Sequence, residues 1–238
     1  MDFATIKTEV ASWLLDLPSG ASSRIGDWVN EAIRQAAERH NFLGMQDGGT
    51  YSTTNEDRTL TEKPANWKEL RGDPFLIHQD GTTTPLTFTP SISDLLTRYG
   101  AQLPAEGNTT PADIGTPRYL IEGSTHLFVY PIPDDESDWD NGLYRIEVRH
   151  WALPATLVQD TDENFLTVDC PYYCIFKAAS LGFRWNKDRD SATEFEVEAE
   201  KQFKSFRRRD RMGRVPDRLT IPIYKGANGR IPRTGRRL

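Results

Sequence analysis

The chain is short of the residues that reactive chemistry depends on. Its 238 residues include two cysteines and four histidines, too few for a disulfide framework or a histidine-rich metal centre. Cys170 and Cys174 stand four apart in a predicted helix. They share a face where a metal is geometrically conceivable, but no Cys or His nearby completes a ligand set. Two buried thiols in a reducing compartment are the expectation. His40, His78, His126 and His150 are scattered, and the last two fall on predicted strands as structural residues. No stretch approaches the roughly 20 apolar residues of a membrane span, so no membrane partner is expected. Met1-Asp2-Phe3-Ala4 opens without the basic-then-apolar pattern of a secretory signal, which points to assembly in a cytoplasm.

Catalytic patterns are equally scarce. There is no Gly-x-Ser-x-Gly elbow, no His-Glu-x-x-His helix, no phosphate loop and no Gly-x-Gly-x-x-Gly. Asp134, Asp135, Glu136, Asp138 and Asp140 form an acidic run without the alternating ligands and glycine turn of a calcium loop. It reads as a solvated loop. Asp160, Asp162 and Glu163 read the same way. The expectation is a protein that is not an enzyme and has no cofactor.

What the chain does have is bulk and a division of charge. Hydrophobic residues are 37% and aromatics 11% of the total, enough for a packed core and against disorder over most of the length. The formal charge is −6, yet residues 207–238 hold eleven Lys and Arg against two Asp, a net of +9 that leaves −15 on residues 1–206. An acidic body with a basic tail suggests an arm for another surface, either nucleic acid or an acidic protein.

Periodicity gives helical ends around a β-rich middle. Phe3, Ile6, Val10, Trp13, Leu14 and Leu17 predict a helix over 2–16, and Ile25, Trp28, Val29, Ala32, Ile33 and Ala36 predict a second to about residue 40, capped by Ser22 or Ser23. Alternation predicts strands at 50–54, 59–60, 68–78, 83–88, 118–122, 126–130 and 144–151. Gly123-Ser124-Thr125 joins two of them in a hairpin. A short helix at 92–99 and loops at 101–115 and 134–142 complete the middle. Residues 170–186 predict a helix with Tyr172, Phe176, Ala179 and Phe183 on its apolar face and Pro171 in its first turn. A last helix, capped by Asp190 or Ser191 with Glu194 as capping-box partner, carries Phe195, Ala199, Phe203 and Phe206. From Arg211 onward prolines and glycines stop any long helix.

The fold class is therefore α+β, mainly a bundle of two N-terminal and two C-terminal helices. An antiparallel β domain is inserted between the pairs, and an extended C-terminal arm follows. The divisions are 1–47 (first hairpin), 48–158 (β domain), 159–210 (second hairpin) and 211–238 (basic arm).

Particular residues carry a resemblance. Thr116-Pro117-Arg118-Tyr119-Leu120-Ile121-Glu122-Gly123, followed by Leu127-Phe128-Val129-Tyr130-Pro131-Ile132-Pro133-Asp134, resembles the central hairpin of tailed-bacteriophage head–tail adaptor (connector) proteins. There a P-x-x-Y strand leads through a glycine turn to a Y-P-x-P strand. Val29-Asn30-Glu31-Ala32-Ile33-Arg34 and the exit Arg39-His40-Asn41-Phe42 are similar too. The resemblance covers about 2–206. It implies a structural virion protein at the head–tail junction, assembled in the bacterial host as a homo-oligomeric ring, commonly of twelve copies. Such a ring lies below the portal and prolongs the DNA channel, and genomic DNA passes through the lumen without specific binding. Its partners are the portal protein and tail or nozzle proteins. A C-terminal segment commonly docks on the portal. By position and character this assigns a portal-binding arm to Arg207, Arg208, Arg209, Arg211, Arg214 and Arg218. It continues through the apolar Leu219, Ile221, Ile223 and Tyr224 to Lys225, Arg230, Arg233, Arg236 and Arg237. The loop of Asp134, Asp135, Glu136, Asp138, Trp139 and Asp140 is the candidate contact with the tail or a neighbouring subunit. Two other readings compete: a nucleic-acid-binding protein acting through the arginine-rich tail, and a tail-completion or tail-tube protein of the same virion.

Overall fold

The computed structural model describes residues 1–14, 20–89 and 114–213. Among these residues five α-helices lie towards the two ends of the chain: α1 (Phe3–Trp13), α2 (Ile25–Arg39), α3 (Phe165–Asp169), α4 (Pro171–Trp185) and α5 (Arg189–Gly213). The helix expected over 92–99 lies outside the described residues. Between the ends, the described residues form nine strands: β1 (Gln46–Ser52), β2 (Thr59–Glu62), β3 (Trp67–Leu70), β4 (Phe75–Ile77), β5 (Thr83–Pro85), β6 (Thr87–Thr89), β7 (Tyr119–Glu122), β8 (His126–Tyr130) and β9 (Arg145–Ala152).

The N- and C-terminal helices share one core. Phe3, Ile6 and Val10 of α1 and Ile25, Trp28, Val29, Ile33 and Ala36 of α2 share a core with Tyr173, Cys174 and Ala178 of α4 and Ala199, Phe203 and Phe206 of α5, and Ala32, the sixth expected residue of α2, is buried as well. Helix α4 packs against α1, α2 and α5 and is the hub of the bundle. A Cβ on Gly182 would lie 2.7 Å from Leu14 and 3.0 Å from Trp28, so the bare backbone of α4 sets how closely α1 and α2 approach. The start of α1 is tied to the far end of the chain: the amides of Phe3 and Ala4 donate to the carbonyls of Asp162 and Asp160.

Several local expectations need correction. Trp13 is exposed although it falls on the apolar spacing of α1. Tyr172 is likewise exposed, and the buried face of α4 runs one residue on, through Tyr173, Cys174 and Ser180. Neither Ser22 nor Ser23 caps α2; a single 3-10 turn (Ser22–Arg24) leads into it instead. Helix α5 starts before Asp190 and Ser191, and the Asp188 carboxylate accepts from the Ser191 amide. The helix also continues past Arg211 to Gly213, and its buried face reaches one turn beyond Phe206, where the Asp210 carboxylate accepts from the Leu43 amide.

The β domain is two sheets. In the first, the long β9 pairs with β1 on one edge and with β3 and β4 on the other, and β5 pairs with β4. The single strand expected at 68–78 follows this path but breaks at 71–74, where Gly72 takes φ +70° and Pro74 has no amide hydrogen to donate. The second sheet is ordered β2-β8-β7-β6, antiparallel except for the parallel β6–β7 pair. The strand expected at 83–88 divides between the sheets, and buried Leu86 sits at the crossing. The β7–β8 hairpin forms as expected. Its turn requires Gly123, where a Cβ would lie 2.5 Å from the Phe128 ring. Leu76, Ile146 and Val148 of one sheet meet Leu60, Leu120, Leu127 and Val129 of the other in a second core.

Candidate docking surfaces

The basic end of the chain begins inside a helix. Arg207, Arg208, Arg209 and Arg211 stand on the last turns of α5. The remaining residues assigned to the arm, from Arg214 to Arg237, lie outside the described residues. Within this turn Asp210 is an anchor. Its side chain is almost wholly buried and accepts from the Leu43 amide at 2.7 Å, with His40 Nε2 at 3.1 Å. Arg209 donates to the Asp169 carbonyl at 3.0 Å and packs over Phe206. Arg208 and Arg211 point to solvent. Placing the boundary after Gly213 returns +3 to the body, so residues 1–213 carry −12 and 214–238 carry +6.

The acidic loop is more ordered than a solvated run. Trp139 donates its indole N–H to the Ile77 carbonyl at 2.9 Å, and the Arg145 guanidinium lies 3.7 Å over its ring. Asp138 accepts from the Gln79 amide at 2.9 Å, with His78 Nδ1 at 3.2 Å. The Tyr144 hydroxyl donates to Asp134, and burial, helped by this contact, raises the phenol to about 12. The loop is thus fastened to the β4–β5 hairpin and to β9. Asp135, Glu136, Asp138 and Asp140 remain on its exposed, negatively charged rim.

The other polar candidates are structural. Cys170 and Cys174 are buried free thiols, and burial pushes both up in pKa, away from the reactive thiolate. Asp162 accepts from the amides of Val158 and Gln159, which hold its carboxyl below the usual range. Asp160 pairs with Lys7. Among the described residues no three His, Cys, Asp or Glu side chains gather as a metal site, and no helix is long and apolar enough to cross a membrane.

Residue spacing missed two features. Asp188 and Asp210 both hold α5 in place, and the signal for the second was its position four residues after Phe206. The exposure of Trp13 has no counterpart in a periodicity argument, which treats every apolar position on a stripe alike.

The bundle with an inserted β domain, the anionic body and the cationic C-terminal end describe a part of a larger assembly. A family model described as SU10 adaptor protein matches residues 1–220. No curated protein matches the chain. The family match spans every described helix of both pairs and the β domain between them. The chain therefore belongs to the SU10 adaptor protein family, non-catalytic head-to-tail connectors of the phage virion that join portal and tail components.

Proposed function

We propose that the chain assembles as a ring of about twelve copies at the head–tail junction, a number taken from the resemblance above. It sits below the portal, prolongs the DNA channel and presents the attachment site for the tail. The observation that carries this reading is the separation of charge. A body of −12 per subunit would give the lumen wall a negative field that DNA phosphates do not adhere to. Segment 214–238, with a net of +6, is the arm that reaches an acidic portal surface. Each arm binds weakly, but many arms on one ring hold tightly by multivalency. The ordered rim of Asp135, Glu136, Asp138 and Asp140 is the contact for a tail protein or a neighbouring subunit. Assembly takes place in the host cytoplasm.

Truncation after Gly213 is the test. It spares Asp210 and Arg209, whose contacts fasten the end of α5 to Leu43 and Asp169. The truncated chain folds with unchanged circular dichroism and loses co-sedimentation with purified portal. Portal binding equal to that of the full chain overturns the arm assignment. Salt-sensitive binding of duplex DNA that disappears with the truncation, with no portal binding at any stage, favours the nucleic-acid reading instead.

A further inference from the structure

Helix α5 carries a second pattern on its solvent side. Asp190, Glu194, Val197, Lys201, Lys204, Arg208 and Arg211 follow one another at alternating spacings of four and three, and all are exposed. They form one stripe along the helix. The stripe is acidic in its first turns and basic in its last.

The acidic end borders an aromatic cleft of ≈ 1000 Å³ between α5, α4 and the end of α1. Trp13, Phe176, Phe195 and Val197 form its apolar lining, with Asp190, Glu194 and Glu198 beside them. Phe195 packs on Trp13 at 5.4 Å and on Phe176 at 6.1 Å, and Tyr172 stacks on Phe176. Trp13 is 51% exposed, Val197 49% and Tyr172 54%. Solvent therefore meets a continuous aromatic surface rather than isolated apolar residues. Such a surface with a charged rim marks an interaction site. Asp190 and Glu194 make no salt bridge with any described residue; Glu198 pairs with Lys201 one turn on.

The complement lies at the far end of the same helix. Lys204, Arg208 and Arg211 make no salt bridge with any described residue, and Met212 beside them is 65% exposed. From Asp190 to Arg208 is eighteen residues, about 27 Å of rigid helix at 1.5 Å per residue. The two ends of one α5 cannot meet. A patch and its complement held apart on one rigid body pair between bodies, and the contact is heterologous, as closing a ring requires.

We infer that the Trp13–Phe195–Val197 cleft is the seat for the basic C-terminal end of α5 from the next copy of this chain. Arg208 and Arg211 of that copy meet Asp190 and Glu194, and Met212 enters the aromatic cleft. Met suits an irregular aromatic surface because its thioether is flexible and polarisable. In this arrangement α5 lies across the subunit boundary rather than along the ring axis, since axial helices would set acid beside acid at one height. The inference rests on the ring reading proposed above.

The test is charge reversal in the full chain, read by native mass spectrometry and sedimentation velocity, alone and on purified portal. Every substituted position is exposed, and circular dichroism checks that each variant folds. The pair D190K/E194K weakens assembly about tenfold or more, as does the pair R208E/R211E. The four together restore it to within about threefold of the unaltered chain. Two outcomes overturn the cleft while leaving the ring intact. In one, rings form normally in both double variants. In the other, D190K/E194K disrupts assembly, R208E/R211E does not, and a different segment occupies the cleft. An unaltered chain that stays monomeric both free and on portal overturns the ring reading, and the cleft assignment with it.

Discussion

Helices α1, α2, α4 and α5 draw one core from the two ends of the chain, with Phe3 and Phe206 in the same cluster. The β domain draws a separate core from its own residues, between Leu60 and Val148. The bundle closes only when distant segments meet, so its order depends on long-range contacts such as the Asp162 carbonyl at Phe3 and the Asp210 carboxylate at Leu43. The first sheet of the β domain is assembled around one strand: β9 holds β1, β3 and β4. The same strand joins the two regions. Ile146 and Val148 enter the β core, while Trp151, and Leu153 just past the strand, pack on the bundle. A connector gains from this division. One rigid region can hold neighbouring subunits while the other presents loops to a different protein.

The largest effect separating the two regions is expected at Phe42. It is fully buried in the bundle, stacked on Phe206 at 4.8 Å, with Phe165, Phe203 and His40 around it. Phe42→Ala leaves a cavity where α2, α3 and α5 converge and should cost about 3–5 kcal/mol. Amide exchange should rise across the helices and far less at Leu120 and Val129. Leu120→Ala should do the reverse, at about 2–5 kcal/mol. Equal loss of protection in both regions from either variant would make the molecule one cooperative unit and break the comparison.

A smaller effect tests how the bundle is pinned to its last turn. Asp210→Ala removes the acceptor of the Leu43 amide and the partner of His40. A buried amide left without an acceptor costs about 1–3 kcal/mol. The loss should appear in urea denaturation and as fraying of residues 207–213 in amide exchange, with the β domain unmoved. If the basic end of α5 is the ring contact, the variant also assembles less well, through disorder rather than through charge. An unchanged α5 end would show that Phe203 and Phe206 are sufficient to hold it.

The architecture was legible because its signals are strong and repeated. Ile25, Trp28, Val29, Ala32, Ile33 and Ala36 leave one orientation for α2, and all six are buried. The Gly123 turn between two apolar strands left one pairing for β7 and β8. Errors fell where two physical signals competed. Tyr172 and Tyr173 are adjacent and equally aromatic, so which one faces the core depends on neighbouring helices that no local window contains. Trp13 satisfies the apolar spacing of α1, yet its ring meets Phe195 at the edge of the open cleft and stays half exposed. Arg207 to Arg211 resembled the start of an arm because charge dominates the stretch. The buried acid at 210 shows that the helix continues, but a buried carboxylate is recognisable only once the amide it accepts from is in place. For the docking surfaces, the chain's basic and acidic residues could be counted in advance. Their division into an acidic cleft and a basic end on one rigid helix could not.

The smallest expected effect lies at the seam between the two regions. His150 on β9 is 1% exposed and stacks on Trp67 at 4.5 Å and 16°. Neither of its ring nitrogens has a hydrogen-bond partner, and the Asp47 carboxylate stands 3.9 Å away. Burial holds its pKa below the usual 6.5, with Asp47 pulling weakly the other way. The unfolded chain therefore binds this proton at a higher pH than the folded one. The stability it confers is complete above the unfolded value and declines as pH falls from there towards the depressed folded value. His150→Phe keeps the stack on Trp67 and removes the titration. The difference in urea midpoint between the two proteins should be constant above about pH 7 and shift in favour of the variant towards about pH 5. Because the difference is taken between two chains sharing every other titratable group, their carboxylates cancel to first order. Parallel curves over that range would mean that the seam opens to water at His150 in the folded state, and that β9 joins the regions less tightly than its packing implies.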